Sequence, residues 1–146
     1  MGTEHMTDLA KLVFRLAERK ARQFGSATIE PEHVLLGAVS EEKGVGGVAL
    51  RRLGASHDGF MSVLPPVPAA PPALPAGPLP WSAATVAAVE RADAERAPLN
   101  RNFICTDHLV LGLAYAGGGQ VPDLLRHVSI TADQLKKQVL FLLQNG

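Results

Sequence analysis

The chain has 146 residues, 14 basic and 14 acidic, no formal net charge, and 47% hydrophobic residues. That is apolar enough to bury a core for one domain or two small halves, and the balanced charge gives no electrostatic footprint for nucleic acid or an anionic membrane. One cysteine, Cys105, excludes an internal disulfide and a cysteine-based zinc site; no apolar run approaches the ~18 residues of a membrane span, and a reducing, cytoplasmic setting is expected.

Thr7 or Asp8 caps a predicted first helix, with Leu9, Leu12, Val13, Leu16, Ala17 and Ala21 at helical spacing and Gly25 as its end. Pro31 suits the first position of a second helix, over about Glu32 to Ser40, because its missing N–H has no helical partner there. Gly44, Gly46 and Gly47 read as a turn. A short helix through Val48, Leu50 and Leu53 stops at Gly54, and Ser56 opens a fourth segment ending near Leu64.

Residues 65–80 differ in kind: eight of the 16 are proline, a density that neither helix nor sheet tolerates. They read as an extended connector rather than a proline-rich ligand for a partner's aromatic groove. Beyond it, Ser82 caps a helix over about Ala83 to Ala97, which Pro98-Leu99-Asn100 breaks. Thr106 has a hydroxyl suited to capping a helix from Asp107 to about Ala116, and Gly117-Gly118-Gly119 ends that helix. A short helix holds Leu124, Leu125 and Val128. Thr131 caps the last one, with Leu135, Val139, Leu142 and Leu143 as its apolar stripe.

The chain also repeats itself. Pro31-Glu32-His33-Val34-Leu35-Leu36-Gly37 returns 75 residues later as Thr106-Asp107-His108-Leu109-Val110-Leu111-Gly112. In the same register Gly44 falls on Gly119, Leu50 on Leu125, Arg51 on Arg126 and Ser56 on Thr131. The expected fold is therefore all-α, eight helices in two pseudo-twofold four-helix halves: residues 7–64, a linker at 65–80, and residues 81–144.

The duplicated acids Glu32 and Asp107 stand in the first turn of a helix, where they interact with the dipole and are placed to meet a ligand. His33 and His108 each neighbour one acid, with no second ligand at i+3 or i+4, and read as packing or hydrogen-bonding residues rather than a metal pair. Cys105 reads as a half-buried structural thiol, since no orienting group supports a nucleophile. Phe103, just upstream of the second acid, is a candidate apolar anchor for a docked partner. No catalytic residue, cofactor or metal is expected, and no G-x-x-x-x-G-K-[ST] loop is present.

The twin blocks resemble the Clp repeat, the N-terminal domain of the Clp ATPases, nearest to its ClpC branch. Asn100-Arg101-Asn102-Phe103-Ile104 is similar to that family's lead-in to its second block. The resemblance spans about Thr7 to Leu143, with residues 65–80 foreign to it, and without an ATPase module it implies an excised N-domain or a stand-alone relative. It implies docking of adaptors or substrate proteins for an unfoldase that feeds a ClpP-type protease. The other reading it leaves open is an accessory regulator or decoy that binds the Clp ATPase or ClpP. By position, it further implies that Glu32 and Asp107 receive the guanidinium of a phosphorylated arginine, with Thr106 as a donor to the phosphate. Pro31 stands where the family has a first threonine, and Asp107 is one methylene shorter than glutamate.

Overall fold

The computed structural model describes residues 2–96 and 101–145. Among them are eight helices: α1 Asp8–Gln23, α2 Pro31–Ser40, α3 Val45–Arg52, α4 His57–Met61, α5 Ala83–Arg96, α6 Thr106–Ala116, α7 Val121–His127 and α8 Ala132–Asn145. Four starts are closed by the hydroxyls that sequence suggests. Thr7 accepts from Ala10 N at 3.2 Å, Ser56 from Gly59 N at 3.0 Å, Ser82 from Thr85 N at 3.2 Å and Thr131 from Gln134 N at 3.1 Å. No described helix is long and apolar enough to cross a membrane. The expected break at Pro98-Leu99-Asn100, with Ala97, lies outside the described residues.

Three local expectations are corrected. Gly46 and Gly47 do not form a turn; they lie in the first turn of α3, because the helix runs so close to its neighbours that a side chain there would strike backbone of Thr106, Ala38 and Glu41. Thr106 does not cap α6. Cys105 holds the cap position and Thr106 is the first helical residue. The buried stripe of α1 is Ala10, Val13, Phe14, Ala17 and Ala21, while Leu9, Leu12 and Leu16 are only partly covered. Gly37 of α2 is the reason. A Cβ there would meet the Val13 carbonyl and the Ala17 amide, so the two backbones touch and only small residues fit between them. Gly112 of α6 makes the same approach to Ala88 and Ala92 of α5.

The halves share one apolar core, whose fully buried side chains include Leu35, Leu36, Leu50 and Phe60 from the first and Leu109, Leu113, Leu124 and Leu135 from the second. Their lead-in segments also cross. Met6 pairs with Ile104, and Ile29 with Trp81, as two isolated parallel bridges. Thr7 N donates to Ile104 O at 3.0 Å and Ile104 N to His5 O at 2.8 Å. Ser82 N donates to Ile29 O at 3.1 Å and Ile29 N to Pro80 O at 2.9 Å. Each half thus fixes the approach to the other half's second helix.

The proline-rich stretch is fastened rather than loose. Arg22 donates to the carbonyls of Pro75 and Gly77, and Leu79 N donates to Glu18 Oε1 at 3.2 Å. Leu64 and Leu79 are buried at its two ends, and Trp81 packs on Phe14 with ring centroids 4.7 Å apart. It forms a strap along α1 whose exposed residues 65–73 pass the start of α2.

Candidate functional site

Both duplicated blocks start their helix by the same device. His33 Nδ1 accepts from Glu30 N at 2.9 Å, and His108 Nδ1 accepts from Cys105 N at 2.8 Å. An imidazole three residues into the helix does what glutamate does in a capping box: it reaches back to the otherwise orphaned amide of the cap residue. This requires a neutral ring with its proton on Nε2. Burial holds both histidines below their ordinary pKa, against the opposing pull of Glu32 and Glu30 on His33 and of Asp107 on His108.

The residue between cap and histidine points across to the other half. Glu32 is 8% exposed, and its carboxylate accepts from Gln120 N at 3.1 Å and from Gln120 Nε2 at 3.5 Å, at the start of α7. In the second block, Thr106 carries the cross-link: its hydroxyl accepts from Gly46 N at 3.0 Å, in the first turn of α3. Asp107, 2% exposed, keeps Oδ2 with no hydrogen-bond partner; Arg101 lies 3.9 Å from that oxygen and His108 Nε2 3.7 Å. The His108 Nε2–H is unpartnered as well.

Above each helix start lies a pocket. The first, of about 340 Å³, is lined by Phe24, Ser26, Glu30, Glu32, His33 and Gln120, and walled by Leu64, Pro65, Pro66 and Pro68 of the strap. The second, of about 330 Å³, holds Arg101, Cys105, Thr106, Asp107, Lys43 and Val45, and is walled by Thr7, Asp8 and Leu9 of α1. At the 75-residue spacing Ser26 corresponds to Arg101, Glu30 to Cys105, Glu32 to Asp107 and Gln120 to Val45, so the two pockets occupy one duplicated location with different chemistry.

Of the residues that sequence singles out, Glu32, Thr106 and Asp107 line these pockets. Phe103 is 51% exposed and stands outside the second pocket's lining. Sequence reasoning missed Arg101, Lys43 and Gln120. Arg101 was readable as the cation six residues before Asp107. Lys43 and Gln120 belong to the opposite half from the acid whose pocket each lines, and nothing local announces them. Cys105, Asp107 and His108 bring potential ligand atoms within 4.8 Å of one another. They do not fit a cation, because His108 spends its one free lone pair on the Cys105 amide and turns its other nitrogen, an N–H, toward Asp107. Burial, helped by Asp107, also pushes the Cys105 thiol up, away from thiolate.

The family described as "Clp repeat (R) N-terminal domain" matches residues 5–128. The ClpA homolog of the Clp protease ATP-binding subunit from Guillardia theta is 26% identical over 140 residues, covering 96% of this chain and 17% of that protein. ClpC/MecB of Bacillus subtilis is 26% identical over 137 residues, covering 94% and 17%. The chain thus spans about a sixth of the length of these relatives. Among solved structures, the N-terminal domain of ClpD from Arabidopsis thaliana superimposes with a TM-score of 0.77 at 20% identity, covering 99% of this chain and 97% of that one. The Hsp104 N-terminal domain from Candida albicans gives 0.72 at 18% identity, covering 95% and 91%. With the crossed, duplicated helix starts in place and a family match over residues 5–128, the chain belongs to the Clp repeat N-terminal domain family.

Proposed function

We propose that this chain is a non-enzymatic docking module of a Clp system, with repeats at 7–64 and 81–144 joined by residues 65–80, and that it presents its two pockets to adaptors or tagged substrate proteins. One observation carries the reading: Asp107, which lines the second pocket, keeps a buried Oδ2 without a hydrogen-bond partner. With Arg101 no nearer than 3.9 Å, a buried carboxylate oxygen without a hydrogen bond costs free energy, and a ligand donor that reaches it recovers part of that cost.

The second pocket's surroundings favour a zwitterionic group. Asp107 offers a guanidinium two charge-assisted hydrogen bonds, and Arg101 and Lys43 offer an attached phosphate its counter-charges near the N-terminal dipole of α6. This is the chemistry of a phosphorylated arginine side chain. Asp107 is the guanidinium acceptor, Thr106 shapes the floor while its hydroxyl oxygen holds α3, and Phe103 offers an exposed apolar neighbour to the flanking peptide.

A titration with free phospho-arginine, followed residue by residue by NMR, tests this. Shifts are expected at the amides of 43–46 and 101–108 and are lost in Asp107→Ala. Absence of shifts at millimolar ligand overturns the reading.

A further inference from the structure

The first pocket has diverged from the second in the charge it accepts. Its lining contains two carboxylates, Glu30 and Glu32, and neither lysine nor arginine. Its one histidine is neutral, committed through Nδ1 to the Glu30 amide. Arg22, near it in sequence, is engaged elsewhere, by the strap carbonyls of Pro75 and Gly77 and by Glu18. Glu32 is more than nine-tenths buried, yet among the described residues no cation lies within ion-pair reach of it. The Gln120 N–H groups orient its carboxylate without neutralising it. Buried charges are normally matched by an opposite charge, and here the Gln120 hydrogen bonds and the helix dipole compensate Glu32 with no full positive charge among the described residues.

The walls suit the stem of a cation. Phe24 stacks on His33 with ring centroids 5.8 Å apart, and Leu64, Pro65, Pro66 and Pro68 face it from the strap. Methylene groups lie against prolines and an aromatic ring while the charged head meets the carboxylates at the floor; a cation near the Phe24 face gains further. A phosphate would instead be brought beside two carboxylates with no basic group to meet it. At this position the other pocket places Arg101 where this one has Ser26, and Cys105 where this one has Glu30.

From the pocket's two acids, hydrogen-bonded but without a cation partner among the described residues, and its apolar walls, we infer that the first pocket is a receptor for an unmodified peptide cation, an arginine guanidinium or lysine ammonium on its aliphatic stem, and rejects the phosphorylated form. This rests on the docking reading above and assigns its first site a ligand. A client engaging both pockets would present one bare cation and one phosphorylated arginine, and the two contacts would reinforce each other through effective concentration.

The test is an NMR titration of the whole chain with four probes: arginine amide, lysine amide, phospho-arginine and inorganic phosphate. Arginine amide or lysine amide shifts the amides of Ser26, Glu32, His33 and Gln120, and whichever shifts them at lower concentration names the head group. Phospho-arginine leaves these four unmoved. Glu32→Gln weakens the cation about tenfold, and Glu30→Gln, at a half-exposed site, weakens it in a fold left intact. Shifts of the same four amides by phospho-arginine overturn the inference while leaving the docking reading standing. Cation shifts here, with the second pocket silent to phospho-arginine, support the inference and overturn the phospho-arginine reading. Silence of the first pocket toward both amides overturns the inference alone.

Discussion

The two pockets begin from one duplicated block and end with unlike chemistry, and the comparison separates what the fold requires from what each site is free to change. The imidazole at the third helical position, with its bond to the cap amide, is common to both. So are the close-approach glycines Gly37 and Gly112, and the crossed bridges beneath. What differs faces the cavities: Glu30 against Cys105, Ser26 against Arg101, Gln120 against Val45, and the strap against the start of α1. Within the duplicated blocks, one side chain of each reaches a backbone amide of the other half, but not the same one. Glu32 does it in the first block, and in the second it is Thr106, one residue earlier. That exchange frees Asp107 Oδ2 and occupies Glu32.

The largest expected effect comes from erasing a further difference between the halves. Gly46 corresponds to Val121, and Gly46→Val would force a branched side chain against the Thr106 backbone. A loss of about 3 kcal/mol is expected, read as a lower urea midpoint, with the second pocket disturbed before the first.

Acid should act on both sites alike. Both histidines have folded pKa values below the unfolded value of about 6.5. Above that pH neither state binds the proton, and the caps contribute fully. As pH falls below it, the unfolded chain takes up protons that the folded one refuses, so stability declines by up to about 1.4 kcal/mol per pH unit for each histidine. Urea midpoints between pH 7 and pH 5 measure the slope, and His108→Gln should remove about half of it. An unchanged slope in that variant would mean the caps are not what titrates.

Arg101→Ala sharpens the contrast in ligand charge. Affinity for phospho-arginine at the second pocket should fall about tenfold, while arginine amide at the first is unaffected, both read by NMR titration. The smallest effect is at the helix ends. Ser129 adopts φ 57° where its counterpart Gly54 has φ 102°. Ser129→Gly should relieve left-handed strain for a net gain of about 0.5 kcal/mol, measured as a small rise in thermal midpoint.

The helices were legible because hydroxyl caps and terminal glycines are local signals: Thr7, Ser56, Ser82 and Thr131 each bond the amide three residues on. The acids Glu32 and Asp107 were legible through duplication. The spacing of Glu30 to His33, and of Cys105 to His108, carried the capping pattern too, disguised because imidazole replaces the usual glutamate. Lys43 and Gln120 were not legible, since each reaches its pocket only after the halves cross. The α1 stripe was legible only in part: periodicity selects Val13 and Ala17, which are buried, but the backbone contact through Gly37 leaves Leu9, Leu12 and Leu16 half-covered and brings in Ala10.

The crossed lead-ins make the extreme N-terminus part of a site about a hundred residues away. His5, Met6 and Thr7 clamp Ile104, one residue ahead of the α6 cap, and Thr7 also walls the second pocket. Removing residues 1–7 would slacken the second pocket around Asp107 while sparing Glu32. Cleaving the strap instead would give two fragments that each lack a bridging partner, and they should regain their structure only when mixed.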